Sequence, residues 1–211
     1  MTKTPMLFVL ALIATIALNG CVSGPSAEEE AAKNKKPDQL AYPPAPEEPR
    51  FYFERTLRRS IDVLPEDEDS SLRRLMTGEK RKSDGFAKPY SIAVQHGRVY
   101  VGDSARRTVM VFDIPGGKYF QIGAEENDDG QGKLYKPLGL DVDQQGNVYV
   151  LDATLKQVMQ YTGSGTFVRQ FGDASMLYKP AGVAVTPDGT RVYAVDIGGS
   201  SSNEHKVVVF D

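Results

Sequence analysis

One phrase occurs three times in this chain. It reads Lys88-Pro89-Tyr90-Ser91-Ile92-Ala93-Val94, then Lys136-Pro137-Leu138-Gly139-Leu140-Asp141-Val142, then Lys179-Pro180-Ala181-Gly182-Val183-Ala184-Val185. The three prolines stand 48 and then 43 residues apart. After each copy come a short turn and a second apolar run that ends in aspartate: 99–103, 148–152 and 192–196, closing on Asp103, Asp152 and Asp196. Self-similarity at this period marks a propeller or a solenoid, so the repeat constrains the fold more than local propensity does.

The local pattern supplies the strands. Ile92 and Val94 point one way, as do Leu140 with Val142 and Val183 with Val185. Period-two alternation bounded by Gly, Pro, Asn and Asp reads as strand. Each intervening turn holds a glycine (Gly97, Gly146 or Gly189) that can supply the positive φ of a tight hairpin. A third strand is expected at 109–112, 158–161 and 207–210, and a fourth at 118–123 and 167–172. Four short antiparallel strands per period make one propeller blade. The fold class is therefore all-β, a partial β-propeller of about three blades.

The repeat resembles the NHL type, which is usually built into six-bladed propellers. The resemblance rests on the Lys-Pro-x-Gly opening, Gly146-Asn147-Val148-Tyr149-Val150, the closing aspartates, and Phe167-Val168-Arg169-Gln170-Phe171-Gly172. It covers roughly residues 86–211. Ser91 departs from it by replacing the glycine of the opening, and 198–203 lengthens the third hairpin. Fold does not fix function, so the resemblance implies architecture first.

Residues 1–20 read as a signal segment. Lys3 gives a positive start, and 6–18 is free of charge but too short to span a bilayer comfortably. The run ends in Leu18-Asn19-Gly20-Cys21, which resembles the bacterial lipoprotein box. Cys21 is the only cysteine and stands where that box places its acylated residue. The resemblance implies cleavage before Cys21, palmitate-type acylation, and membrane attachment through N-terminal acyl chains. Val22 occupies the position where an aspartate would signal inner-membrane retention, so the implied site is the outer membrane, facing the periplasm. Residues 21–50 have no apolar periodicity and carry Pro43, Pro44, Pro46 and Pro49. They read as a disordered, partly stiff tether, with a proline-rich ligand as the alternative.

Residues 51–85 are expected to hold a strand at 51–57, placed to close a ring against its last blade, and a short helix. Ser70 or Ser71 would cap the helix over 72–76, which stops near Gly78. Lys80, Arg81 and Lys82 follow as a solvated end. Blades 86–211 complete the chain, the third without a fourth strand. Three blades do not make a ring, and a three-blade stack would expose apolar faces. Three explanations stay open: the N-terminal half of a longer protein, a homodimer that pairs two half-rings, or a partial fold.

Chemistry is sparse. His96 and His205 are the only histidines and fall in or near turns, too few for the usual zinc set. The acidic stretch Glu125-Glu126-Asn127-Asp128-Asp129-Gly130 fails the calcium-loop pattern, because Lys136 falls where a bidentate glutamate is required. Asp103, Asp152 and Asp196 read as turn formers, with metal ligation as the alternative. No catalytic residue, metal or cofactor is assigned. The formal net charge of −3 argues against a nucleic-acid partner. The binding candidates are Lys88, Lys136 and Lys179, joined by Tyr135 and Tyr178. Propeller symmetry would set them on one face, around the channel mouth, to meet a small anionic ligand or an acidic envelope protein. The functional expectation is an envelope lipoprotein acting as a binding scaffold. The alternative is an NHL-like propeller enzyme, of lyase or calcium-dependent lactonase type, whose site lies in blades beyond these three.

Overall fold

The computed structural model describes residues 40–66, 68–78, 80–125, 130–199 and 204–211. The expected signal segment, Cys21 and most of the expected tether lie outside the described residues. Among the described residues no helix is long and apolar enough to cross a membrane. The chain divides into two compact units, Met1–Thr56 and Leu57–Asp211.

In the first unit, β1 (Ala41–Tyr42) pairs antiparallel with β2 (Phe51–Tyr52). The Arg50 N–H donates to the Tyr42 carbonyl at 2.8 Å and the Phe53 N–H to the Leu40 carbonyl at 2.7 Å. The strand expected at 51–57 is therefore two residues long, and its partner comes from the stretch assigned to the tether. The prolines between them turn the chain back, so the nearest available strand edge is local.

The second unit begins with a segment folded back on itself. A single 3-10 turn spans Ser60–Asp62. The Asp62 carboxylate accepts from the Arg58 and Arg59 N–H groups at 2.6 and 2.9 Å. Ser60 exchanges two bonds with Asp84: its N–H donates to the Asp84 carbonyl and its Oγ accepts from the Asp84 N–H. Arg59 bridges Gly85 across the same gap. Helix α1 spans Glu68–Thr77 and ends at Gly78, whose φ is +67°. Ser70 and Ser71 lie inside the helix rather than at its cap. The acidic residues before them suit the positive end of the helix dipole, so the helix starts earlier than the serines suggest.

Three antiparallel sheets follow. The first blade is β3 (Pro89–Gln95), β4 (Arg98–Asp103), β5 (Thr108–Asp113) and β6 (Lys118–Ile122), hydrogen-bonded in that order. The second is β7 (Pro137–Val142), β8 (Val148–Asp152), β9 (Gln157–Tyr161) and β10 (Phe167–Phe171). The third is β11 (Pro180–Val185), β12 (Val192–Asp196) and β13 (Lys206–Phe210). The innermost strands β3, β7 and β11 lie side by side. Gly123 and Gly172, at φ +72° and +83°, turn the chain out of β6 and β10. This is a partial β-propeller.

Alternation sorts every strand into a leading face, toward the preceding blade, and a trailing face, toward the next. Leu140, Val142, Val148, Val150, Met159 and Tyr161 lead on blade 2 and bury against Tyr100, Val109, Val111 and Ile122, which trail on blade 1. Val183, Val185, Val192, Ala194, Val208 and Phe210 lead on blade 3 and pack on Tyr149, Leu151 and Val158. Polar bonds cross the same seams. Gln95 Nε2 donates to the Asp143 carbonyl at 3.0 Å, and the Asp141 carboxylate accepts from the Val185 N–H at 2.8 Å.

Backbone proximity at these seams explains the glycine of the repeat phrase. A Cβ on Gly139 would stand 2.7 Å from the Val183 nitrogen and 3.0 Å from Leu151 Cβ. Ser91 departs from that pattern, and its register partner departs the other way. Gly139 pairs with Leu151 and Gly182 with Val195, whereas Ser91 pairs with Gly102. A Cβ on Gly102 would collide with Ser91 Oγ. The small residue has moved across the strand pair, so volume is conserved. Ser91 Oγ is left buried without a hydrogen-bond partner.

Gly139→Ala is expected to cost about 1–3 kcal/mol of stability by overpacking. Urea denaturation checks this, and a loss below about 0.5 kcal/mol, the range of neutral surface substitutions, would contradict the seam geometry.

Candidate functional site: a lysine-lined cavity

The closing aspartates organise the site. Asp103, Asp152 and Asp196 are buried, which penalises a bare carboxylate. Each is met by peptide N–H groups from two directions. Asp103 accepts from Ala87 and Lys88, just before β3, at 2.7 and 2.9 Å. It also accepts from Ala105 and Arg106 in the next turn, at 3.1 and 2.9 Å. Asp152 accepts from Tyr135, Lys136, Thr154 and Leu155 at 2.6, 2.8, 2.8 and 3.0 Å. Asp196 accepts from Tyr178, Lys179 and Gly198 at 2.5, 2.8 and 2.9 Å.

The turn-forming role expected of these residues is present, and a second role accompanies it. The carboxylate also clamps the loop that leads into the innermost strand. The lysine carbonyls complete the clamp. Those of Lys88, Lys136 and Lys179 accept from Ser104, Ala153 and Ile197 at 3.0, 2.9 and 3.1 Å. Each lysine is thus pinned at its own N–H and C=O while its side chain stays exposed. The following proline sets φ and has no N–H to give, so it suits the first residue of a strand.

Each innermost strand also carries a β-bulge at one site. The register slips between Pro89 and Ser91, Pro137 and Gly139, and Pro180 and Gly182. A bulge re-aims the extra residue. Here the extra residues are Tyr90, Leu138 and Ala181, and all three line one open cavity of about 360 Å³. The same cavity is lined by Lys88, Lys136 and Lys179, and by Ser104, Ala153 and Ile197. Three equivalent positions from three blades therefore converge. Tyr178 lines the cavity, and the Lys156 ammonium sits 5.0 Å from its ring centroid. Tyr135 does not line it and meets the site only through its N–H bond to Asp152. Among the described residues, no carboxylate forms an ion pair with Lys88, Lys136 or Lys179. The bulge and the second half of the clamp were missed by sequence reasoning. Their signal is the repeat phrase itself, in which a fixed Lys-Pro-x-small order recurs.

The remaining candidates fall elsewhere. His96 is exposed in the β3–β4 turn at φ +51°, and His205 Nδ1 stands 2.8 Å from the Ile197 carbonyl oxygen. Residues 126–129 of the acidic stretch lie outside the described residues. Among the described residues, no group of three or more His, Cys, Asp or Glu side chains could hold a metal. Asp141 of the innermost strands is engaged by the Val142 and Val185 N–H groups.

Burial opposes ionisation of Asp103 and Asp196, but the converging N–H donors outweigh it and hold both below the usual aspartate range. A folded-state pKa below the unfolded one stabilises the fold above the unfolded value, and that stability is lost as pH falls through the folded value. Stability is therefore expected to be level above about pH 5 and to fall steeply below about pH 4. Asp103→Ala, which strands four N–H donors, is expected to cost at least about 2 kcal/mol at pH 7. Its stability should also depend less on pH below 4 than that of the wild type. Denaturation at pH 7 and pH 3.5 measures both, and a variant with an unchanged acid slope would contradict the clamp.

No family model matches the sequence, and no curated protein matches it. Among solved structures, a hydrazine synthase chain from Kuenenia stuttgartiensis is similar at 20% identity and a TM-score of 0.47, over 64% of this chain and 38% of that one. A luciferin-regenerating enzyme is similar at 14% identity and a TM-score of 0.44, over 62% of this chain and 48% of that one. The chain thus spans less than half the length of either protein, and neither likeness bears on its function.

Proposed function

We propose that this chain is a lipid-anchored protein of the bacterial envelope, and that its NHL-type blades form a binding platform at the outer membrane. The lysine-lined cavity receives an anionic group, carried by a small ligand or by an acidic protein surface. One observation carries this reading: Lys88, Lys136 and Lys179, 91 positions apart from first to last, line the same cavity. Their backbones are fixed by the aspartate clamps, so three cationic side chains are presented without rearranging the loops. Exposed ammonium groups attract weakly one by one. Three that face one anion act together, and the aromatic ring of Tyr178 adds contact area. The anchor rests on Leu18-Asn19-Gly20-Cys21 and on the single cysteine. Two or more acyl chains would hold the protein stably on a membrane, because each buried methylene contributes about 0.8 kcal/mol.

Affinity capture from solubilised envelopes tests the platform. The native chain is expected to retain an acidic protein or an anionic ligand, and retention should weaken as salt rises. The Lys136→Glu, Lys179→Glu double variant should lose at least about tenfold in retention, since like charges now face the anion. Retention unchanged by both substitutions would sink the lysine reading. For the anchor, Cys21→Ser is expected to abolish incorporation of labelled palmitate and to remove the protein from the outer-membrane fraction. Undiminished labelling of that variant would contradict it.

A further inference from the structure

The lysine-lined cavity has an outer tier of basic residues around it. In each blade, the turn between the second and third strands opens on a residue that lines the cavity: Ser104, Ala153 or Ile197. Each of these turns closes on a basic residue just before the third strand: Arg107, Lys156 or His205. Arg107 and Lys156 stand at φ +59° and +57°, the left-handed region where glycine is least strained. Their N–H groups donate to the Asp103 and Asp152 carbonyls, both at 2.8 Å. The residues that clamp the lysine loops therefore also fix these two turns. A strained backbone position that holds a long cation in two blades points to a use for the cation.

Two contacts tie this tier to the cavity wall. The Lys156 ammonium sits over the ring of Tyr178, which lines the cavity. His205 Nδ1 meets the carbonyl of Ile197, which also lines it. Arg107, Lys156 and His205 do not line the cavity themselves, so positive charge extends beyond its rim. Among the described residues, none of the three forms an ion pair. The carboxylates of the same loops are engaged elsewhere. Asp103 and Asp152 are buried in the clamps, and Asp173 accepts from Ser175 and Met176 in its own loop. Glu204 offsets His205, so blades 1 and 2 carry most of the surplus charge. The cavity adds a second requirement. Leu138, Ala181 and Ile197 give it apolar lining beside the rings of Tyr90 and Tyr178. A bare phosphate or carboxylate group has no apolar surface to bury there.

We propose that the anionic partner is an acidic peptide segment. One apolar side chain enters the cavity against Leu138 and Ile197. Carboxylates on either side of it meet Lys88, Lys136 and Lys179 and, farther out, Arg107 and Lys156. A peptide carries carboxylates and apolar side chains on one backbone, whereas an acidic glycan offers only the charges. The lysine loops spend their own N–H and C=O groups in the clamps, so recognition passes through side chains and not through an added strand. This inference rests on the lysine reading of the cavity and narrows its ligand to one class.

Titration calorimetry of the full chain in detergent tests it with three probes: a peptide of glutamates flanking a central leucine, the same peptide with serine at the centre, and citrate. The leucine peptide is expected to bind tightest, and the serine peptide at least about fivefold more weakly, for loss of one buried apolar side chain. The Arg107→Glu, Lys156→Glu double variant should lower the ratio of leucine-peptide to citrate affinity at least about fivefold, since like charges then face the ends of the peptide. Its thermal midpoint, measured alongside, reports whether the fold is kept, and the comparison of the two peptides on the unaltered chain needs no variant. Peptides that bind alike with leucine or serine, or an affinity ratio unchanged in the double variant, overturn the peptide assignment. Citrate binding that is lost in the Lys136→Glu, Lys179→Glu variant would then still uphold the lysine reading. Citrate and peptide binding both indifferent to that variant overturn the lysine reading and this inference together, as does a chain that binds none of the probes.

Discussion

Each blade depends on one buried carboxylate that is met by peptide N–H groups instead of by a cation. Burial alone would drive such a group toward its neutral form or out into solvent. Converging N–H donors reverse that preference at Asp103 and Asp196, and Asp152 is met by four such donors. The bonds reach both forward, into the turn that starts the third strand, and backward, into the loop that starts the first. One side chain thereby fixes the relative position of three strands. The lysine that precedes the proline lies in the middle of this arrangement. Its backbone is consumed by structure and its ammonium group is left for solvent or ligand. The same clamp thus connects the fold to the proposed function, because the loop it holds is the loop that presents the charge.

The seams between blades rest on a second constraint, the close approach of innermost strands. Gly139 lets the backbone of β11 come against β7, and the exchange of Ser91 for Gly102 keeps the blade 1 strand pair within the same volume. Apolar alternation then fills the outer part of each seam. Packing of this kind is local and repetitive, so stability is approximately a sum of one contribution per blade and one per seam between neighbours.

Much of this was legible in the sequence because it repeats. The strands, their order, the glycines that end β6 and β10, and the structural use of the aspartates follow from the aligned phrases. The convergence of Lys88, Lys136 and Lys179 follows from them too, since equivalent positions in a propeller share a face. What did not repeat was harder to read. The segment 51–57 had the right alternation, but the prolines before it, Pro43 to Pro49, turn the chain back onto a nearer partner at 41–42. Tyr135 and Tyr178 occupy equivalent positions, yet only Tyr178 lines the cavity. Segment 57–63 has no counterpart in the repeat, and its role shows only where Leu57 and Val63 meet the Phe112 cluster. The bulge was hidden because a one-residue register slip leaves the apolar pattern after it intact.

Amide hydrogen exchange at Lys88, Lys136 and Lys179 tests the central claim most directly. These residues lie in loops with exposed side chains, so an unclamped loop would exchange rapidly. The account predicts protection equal to that of the central strands β4, β8 and β12, because each N–H is held by a buried carboxylate. Exchange at the rate of the exposed β3–β4 turn would contradict it. The aspartates would then be turn formers only, and the fixed presentation of the lysines would have no physical basis.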